Sequence, residues 1–239
     1  MNRLAMMILK NITRFPGAYA KLCRNARNLD TTTEQERYDH IRWMLELAIK
    51  AGNVRVEVTG TDNIPREGGY IAYANHQGLF DVLALVVTCD LPMAAVFKKE
   101  LSDVPFCKQI IACTKSFAMD RADVRQSLGV IQNVVEEVKA GRHYLIFPEG
   151  TRSKMGNEML DFHAGSFKAA LKAKCPILPI AFVDSFKVLD QKGSAPVVMQ
   201  IHYLDPIPYE EYKDMKAVEL AALVKERIAA AIAEHVAEA

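Results

Sequence analysis

Short apolar segments alternate with segments of helical periodicity along most of this chain. The short segments have the length of buried strands and cover residues 70–74, 93–97, 117–119, 143–147, 177–183 and 197–203. Residues 162–173 and 215–236 predict helices, and so does the apolar stripe Val124, Leu128, Ile131, Val135 and Val138, which we interpret as a core face. This alternation predicts an α/β fold in which a mixed central sheet is flanked by helices.

The chain before the first strand predicts helices. Thr33 and Glu36 have the spacing of a capping box, which opens a helix that Gly52 ends. Trp43, the only tryptophan, is either an interfacial anchor or a core residue, and the core is favoured. Val54, Val56 and Val58 alternate as a strand, so we divide the chain into an N-terminal helical region, residues 1–52, and an α/β domain, residues 53–239.

The first residues form a basic amphipathic pattern. Arg3, Lys10 and Arg14 fall within about 40° of one another on a helix, with Leu4, Ile8 and Ile12 on much of the opposite side. Pro16-Gly17 is expected to interrupt this helix, and a second one to begin near Ala18. The pair predicts peripheral association with the cytoplasmic face of the cell membrane; the alternative is a basic pair packed on its own domain. Neither a signal peptide nor a transmembrane span fits the sequence.

The amino-acid composition argues against two classes of partner, nucleic acids and metal ions. Lys+Arg number 30 and Asp+Glu 29 among 239 residues, and a net charge of +1 gives no field that attracts nucleic acid. The five cysteines contain no CxxC, which favours reduced thiols over a zinc site. No metal is therefore expected.

One His-x-x-x-x-Asp sequence, His76 to Asp81, lies between a predicted strand and a predicted helix. In one continuous helix the two residues would lie about 140° apart, whereas a strand–turn–helix junction with a flexible Gly78 lets them meet. The carboxylate would then fix the imidazole tautomer and leave the other ring nitrogen to accept a proton from a hydroxyl. The alternative is a turn histidine beside a helix-capping aspartate.

Three further strand ends are followed by basic residues. Gly150 lies in a turn whose backbone N–H groups would face a ligand, and Arg152 offers a planar fork for a phosphate. Glu149 suits hydroxyl groups or an arginine partner. Because parallel strands end at one edge of a sheet, His76, Lys98, Arg121 and Arg152 are predicted around one crevice. The alternative is a set of solvated loop charges, with Arg121 paired to Asp120.

The segments NHQGLFD, KKEL, FAMDR, FPEGTRS and CPILPIAF, in this order, resemble the conserved blocks of the glycerolipid acyltransferase family. The resemblance covers roughly residues 54–183 and is greatest to the bacterial 1-acyl-sn-glycerol-3-phosphate acyltransferases. It implies the glycerolipid acyltransferase fold, a mixed central β-sheet flanked by helices. It also implies transfer of a fatty acyl group from acyl-CoA or an acyl carrier protein thioester to lysophosphatidic acid, in phospholipid biosynthesis, with no other cofactor.

The resemblance also implies roles for individual residues. His76 would be the base and Asp81 its orienting partner. The acceptor would be bound by Lys98, Arg121, Glu149, Gly150, Thr151 and Arg152, and Pro179 would shape the site near the acyl chain. The chain departs from the family at Cys107, Lys108 and Lys115, where glycine is frequent, and these changes lie along the wall that leads to Arg121.

Other functions stay open on sequence grounds. The acceptor could be another lysophospholipid or a lyso-aminolipid. A lipid thioesterase or hydrolase would need a nucleophile such as Ser166 or Cys107, although no G-x-S-x-G sequence is present. A non-catalytic lipid-binding module at the membrane surface is the third alternative.

Overall fold

A seven-stranded sheet forms the centre of the molecule. The computed structural model describes residues 2–237. The strands are β1 (Val54–Thr59), β2 (Ile71–Ala74), β3 (Met93–Lys98), β4 (Phe117–Met119), β5 (His143–Ile146), β6 (Ile177–Val183) and β7 (Val197–Tyr203). They lie in the order β1-β7-β6-β2-β5-β3-β4.

Every strand pair is parallel except β6 with β7, so the predicted mixed sheet is confirmed. In the middle of the sheet, Tyr73 of β2 lies opposite Ile146 of β5 and Pro179 of β6. The strands β2, β5, β3 and β4 are consecutive neighbours. Their carboxyl ends therefore meet at one edge, where the sequence placed its crevice.

Helices cover both faces of the sheet. They are α1 (Arg3–Lys10), α2 (Phe15–Arg27), α3 (Glu34–Ala51), α4 (Asp81–Thr88), α5 (Cys107–Cys113), α6 (Val124–Lys139), α7 (Ala164–Ala173), α8 (Phe186–Leu189), α9 (Tyr209–Tyr212) and α10 (Ala217–Ala237). One core contains residues of α2, α3 and α4, and the other contains residues of α6, α7 and α10. Among residues 2–237, no helix has the length and apolarity to cross a bilayer.

The first helix is anchored by a buried arginine. The Arg3 guanidinium donates to the backbone oxygens of Lys187 and Val188, at 2.9 and 2.6 Å, and to those of Gly52 and Ala195. A buried guanidinium, which has lost its hydrogen bonds to water, needs other acceptors. Here they are neutral backbone carbonyl groups and not carboxylates. The contact holds α1 against α8 and leaves the opposite side of α1 exposed.

Two expectations for the helical region are wrong. Pro16 does not separate the helices; it lies in the first turn of α2, which begins at Phe15. The N–H groups of a first helical turn have no acceptor within the helix, so the absence of an N–H in Pro16 costs no hydrogen bond there. Trp43 is 43% exposed and stacks on His40, because it lies on the outer side of α3 while Ile41 and Leu45 face the core.

The predicted core stripe of α6 is only half correct. Val135 and Val138 are buried as expected, but Val124 is 71% exposed and Leu128 57% exposed. The first two turns of α6 line an open cavity instead of covering the sheet. The apolar periodicity predicted the helix correctly, and it could not distinguish a core from the wall of a pocket.

Candidate active site

His76 and Asp81 are in contact at the carboxyl end of β2. His76 lies two residues beyond the strand, Asp81 is the first residue of α4, and His76 Nδ1 is 2.8 Å from Asp81 Oδ2. The strand–turn–helix junction therefore brings the pair together as the sequence predicted. Gly78 is required for space and not for a left-handed conformation: a Cβ there would lie 2.7 Å from Asp190 Oδ2 and 3.0 Å from Phe186 Cα.

The Asp81 carboxylate is completely buried and accepts several hydrogen bonds. Oδ2 accepts from the backbone N–H of Gln77 at 2.7 Å and of Gly78 at 3.1 Å, and Oδ1 accepts from the hydroxyl of Ser185. Both oxygens already accept hydrogen bonds from N–H and O–H donors, so the carboxylate is an acceptor toward His76 as well. Nδ1 of His76 must therefore carry the proton, and Nε2 is left as a lone-pair acceptor.

The His76 ring is one-fifth exposed and lies against an aromatic side chain. Its centroid is 4.0 Å from that of Phe147, and the ring planes differ by 20°. Phe147 follows β5, so the stacking joins two adjacent strand ends. The ring is held on one face and still reachable from solvent, as a base for an incoming hydroxyl must be.

Glu149 holds the backbone of the histidine turn. Its Oε1 accepts from His76 N at 2.7 Å and its Oε2 from Leu160 N at 2.8 Å. Burial raises the pKa of Glu149 above its ordinary value, and the two backbone donors oppose that shift. The carboxylate was expected to bind acceptor hydroxyls or an arginine. Instead, both its oxygens are engaged by the main chain, so Glu149 acts on His76 through the backbone.

A cavity of about 760 Å³ opens beside Phe147, between the first turns of α6 and α7. Its apolar walls come from Val96, Met119, Val124, Leu128, Ile131 and Ile146. Polar groups come from Arg121, Glu149, Thr151, His163 and Ser166. His76 does not line this cavity directly. The Phe147 ring separates the two, with the imidazole on the ring and the cavity beside it.

Arg121 is the arginine that this cavity presents. Among the described residues 2–237 it takes part in no ion pair, because Asp120, its expected alternative partner, binds Lys99 at 3.1 Å. The Arg121 side chain is therefore not held in place by an ion pair with Asp120. A free guanidinium at the mouth of an apolar cavity is suited to an amphiphile with an anionic group.

Three of the predicted site residues, two from the crevice and one expected near the acyl chain, have other surroundings. Arg152 forms an ion pair with Asp190 at 2.6 Å, and Lys98 is exposed and pairs with Glu100 at 2.9 Å. Neither lines the cavity. Pro179 is buried within β6 and lies opposite Tyr73, at the centre of the sheet.

The turn around Gly150 is also different from the expectation. Gly150 has the left-handed φ of +70° that a turn requires, but its N–H donates to Phe147 O at 3.1 Å and is not free for a ligand. The next turn ties the same segment to the histidine, since Ser153 N donates to His76 O at 2.8 Å. Arg152 thus lies at the same sheet edge as His76, and Thr151 lines the cavity.

Two residues near the site were missed by sequence reasoning. His163 lines the cavity and lies over Gly150, and no aspartate follows it at the spacing that marks His76. Ser185 reaches Asp81 from 104 residues along the chain. Its only signal is its place after β6, the strand beside β2, where the convergence of strand ends applies equally.

Within residues 2–237, neither candidate nucleophile of a hydrolase is hydrogen-bonded to a side-chain base. The Ser166 hydroxyl donates to the backbone oxygen of His163 at 2.7 Å. Burial raises the pKa of the Cys107 thiol, which favours the unreactive protonated form. The geometry therefore favours a base that acts on a substrate hydroxyl.

Comparison with known proteins gives consistent results. The sequence pattern of the Acyltransferase family matches residues 55–183. The 1-acyl-sn-glycerol-3-phosphate acyltransferase of Escherichia coli (strain K12) is 30% identical over 182 residues, 76% of this chain and 74% of that protein. The protein of the same name from Pseudomonas aeruginosa is 35% identical over 141 residues, 59% of this chain and 54% of that protein.

A solved structure has the same fold. The crystal structure of the 1-acyl-sn-glycerophosphate (LPA) acyltransferase from Thermotoga maritima matches with a TM-score of 0.78 and 22% identity. The match covers 96% of this chain and 92% of that one.

Replacing Glu149 tests its role as a backbone anchor. In Glu149→Gln the amide nitrogen faces one of two N–H donors, so one bond is lost and a buried donor is left unpaired. We expect the free energy of unfolding to fall by about 1–3 kcal/mol in urea titration. Glu158→Gln makes the same change at an exposed position of the following loop and should leave stability unchanged. Equal stability of the two variants would contradict the assignment.

Proposed function

Since this chain belongs to the acyltransferase family, we propose that it transfers a fatty acyl group from a thioester to the free hydroxyl of lysophosphatidic acid and so forms phosphatidic acid. The observation that carries the proposal is the His76–Asp81 pair, whose free ring nitrogen stands at a sheet edge beside an apolar cavity with an unpaired arginine. The names of the relatives supply the acceptor.

The reaction needs one proton acceptor in a fixed tautomer. His76 Nε2 takes the proton of the acceptor hydroxyl while its oxygen attacks the thioester carbonyl carbon. The imidazolium, stabilised by Asp81, then returns the proton to the departing thiolate, and the enzyme is regenerated. Such a base typically contributes a factor of about 10² to 10⁴ in rate. No further cofactor is required by this scheme; the thioester, on coenzyme A or on an acyl carrier protein, is a co-substrate.

Arg121 is proposed to bind the phosphate of the acceptor. It is the cation that lines the cavity, whereas Arg152 and Lys98 already have carboxylate partners. A charge-assisted contact orients the acceptor without taking part in proton transfer. The apolar walls beside it suit the hydrocarbon part of an amphiphile.

Removing the base tests the reaction itself. In His76→Gln the side-chain amide can still donate to Asp81 but cannot accept a proton as imidazole does, so the fold is retained. We expect kcat to fall by a factor of about 10² to 10⁴. The measurement is phosphatidic acid formed from lysophosphatidic acid and a panel of acyl-CoA and acyl-carrier-protein thioesters, read by mass spectrometry. Turnover equal to that of the unaltered protein would remove His76 from the mechanism.

Removing the phosphate contact tests the acceptor site. Arg121→Ala should raise KM for lysophosphatidic acid by about 10-fold or more, the cost of a lost charge-assisted hydrogen bond, and change kcat much less. Arg125→Ala is the matched control, because it removes the same charge from an exposed residue of α6 that does not line the cavity. An unchanged KM in Arg121→Ala would mean that the phosphate binds elsewhere.

We propose in addition that α1 rests on the cytoplasmic face of the membrane. Four apolar side chains are between 49 and 59% exposed on and just after this helix: Leu4, Ile8, Leu9 and Ile12. Lys10 and Arg14 lie beside them, and a basic amphipathic helix binds anionic lipid by both its charge and its apolar face. An acceptor with one fatty chain resides in the bilayer, so this contact would bring the enzyme to its substrate.

Charges placed on the apolar face should weaken membrane binding. We expect the double variant Ile8→Glu and Leu9→Glu to sediment less with vesicles that contain an anionic phospholipid, because both the apolar area and the positive charge of α1 are reduced. Val218→Glu is the control: it adds a carboxylate at an even more exposed apolar position on α10. If both proteins sediment as the unaltered protein does, α1 is not the membrane contact.

A further inference from the structure

Ser185 makes a contact with the Asp81 carboxylate that the reaction scheme has not used. It is completely buried and directly follows Asp184 at the end of β6. Its hydroxyl donates to Asp81 Oδ1, on the side of the carboxylate away from His76. The backbone of Ser185 is fixed as well, because its N–H donates to the side-chain oxygen of Gln77 at 3.0 Å.

The turn at Asp184, which has an unfavourable backbone conformation, determines the position of this serine. Asp184 has a φ of +61°, which side-chain-bearing residues rarely adopt. Asn157 accepts from Asp184 N at 2.9 Å and donates to Asp184 Oδ1 at 3.0 Å, so the unfavourable conformation is held by hydrogen bonds on both sides. Gln77 Nε2 in turn donates to Asn157 at 2.8 Å. Strain maintained by several contacts is frequent where a functional group must be placed.

The two oxygens of Asp81 are not equally supported. Oδ2 accepts from His76, Gln77 and Gly78. Besides the serine, the one donor to Oδ1 in the described part of the chain is the Gly78 N–H at 3.2 Å, which also donates to Oδ2. Without the hydroxyl, Oδ1 would keep a single hydrogen bond, the long one from the Gly78 N–H, which is shared with Oδ2. The carboxylate plane would then turn toward other donors, and the bond to His76 would lose its alignment.

We propose that Ser185 is a positioning residue for the acyl transfer described above: its hydroxyl fixes the Asp81 carboxylate so that Oδ2 stays directed at His76 Nδ1. The inference rests on the proposed function for its kinetic effect but not for its structural one.

Other charged groups face this pair and must be considered in any pH dependence. Glu149 approaches from the turn after β5, and the Arg152–Asp190 ion pair approaches from that turn and from the end of α8. Asp184 carries its own partner, Lys187, at 2.6 Å. None of these is altered by a change at Ser185 alone.

Kinetics of Ser185→Ala test the proposal. We expect kcat to fall about 10-fold with KM for the acceptor nearly unchanged, and the acidic limb of the kcat/KM profile to move to lower pH, because a misaligned Asp81 carboxylate stabilises the protonated imidazole less. Ser185→Thr keeps the hydroxyl and should restore both properties. Thr114→Val removes a buried hydroxyl that bonds only within and after α5, so it should reduce stability without moving the pH limb.

A second measurement separates this inference from the function on which it rests. In protein labelled with ¹⁵N-histidine, the Nδ1 proton of His76 gives a downfield signal while it is bound to the carboxylate. Ser185→Ala should shift or broaden this signal, and Thr114→Val should not. If the unaltered protein transfers no acyl group, the proposed function fails and the NMR comparison still decides the role of Ser185. An identical His76 signal, or an unmoved pH limb with full kcat, overturns the proposal.

Discussion

The active-site architecture depends on one buried carboxylate that must be satisfied by the chain. Asp81 has no contact with water, so its charge needs donors from the protein, and these come from two distant segments. The histidine turn supplies two backbone N–H groups and an imidazole, and the end of β6 supplies a hydroxyl. Because β6 and β2 are neighbours in the sheet, the hydroxyl reaches the carboxylate only when these two strands are paired.

The site separates two kinds of charge. Its carboxylates, Asp81 and Glu149, are buried and bind groups of the chain itself, so they determine where the imidazole lies. Arg121, which lines the cavity, forms no ion pair within residues 2–237 and can meet a ligand. This division has a physical reason: buried anions without donors would be costly, whereas a guanidinium at an opening remains partly hydrated until a substrate arrives.

Local sequence patterns predicted the helices and strands and the contact between His76 and Asp81, which lie in one turn. They did not predict hydrogen-bond or ion-pair partners that are distant in the sequence. His76 and Asp81 are five residues apart, so a strand–turn–helix junction was enough to bring them together. Arg152 was expected to be free, yet its partner Asp190 is 38 residues away, where spacing carries no information. Val124 and Leu128 show the converse limit, since an apolar stripe has the same periodicity whether it meets a core or a cavity.

Arg3 has a consequence for the geometry of the reaction at a lipid surface. Its guanidinium joins α1 to the carbonyl groups of Lys187 and Val188, two and three residues after the serine that contacts Asp81. The helix proposed to rest on lipid is thus hydrogen-bonded to the segment that follows this serine. With α1 on lipid as proposed, the depth to which α1 is immersed would set the height of the imidazole above the hydrocarbon, and hence which hydroxyl along an embedded molecule it could reach.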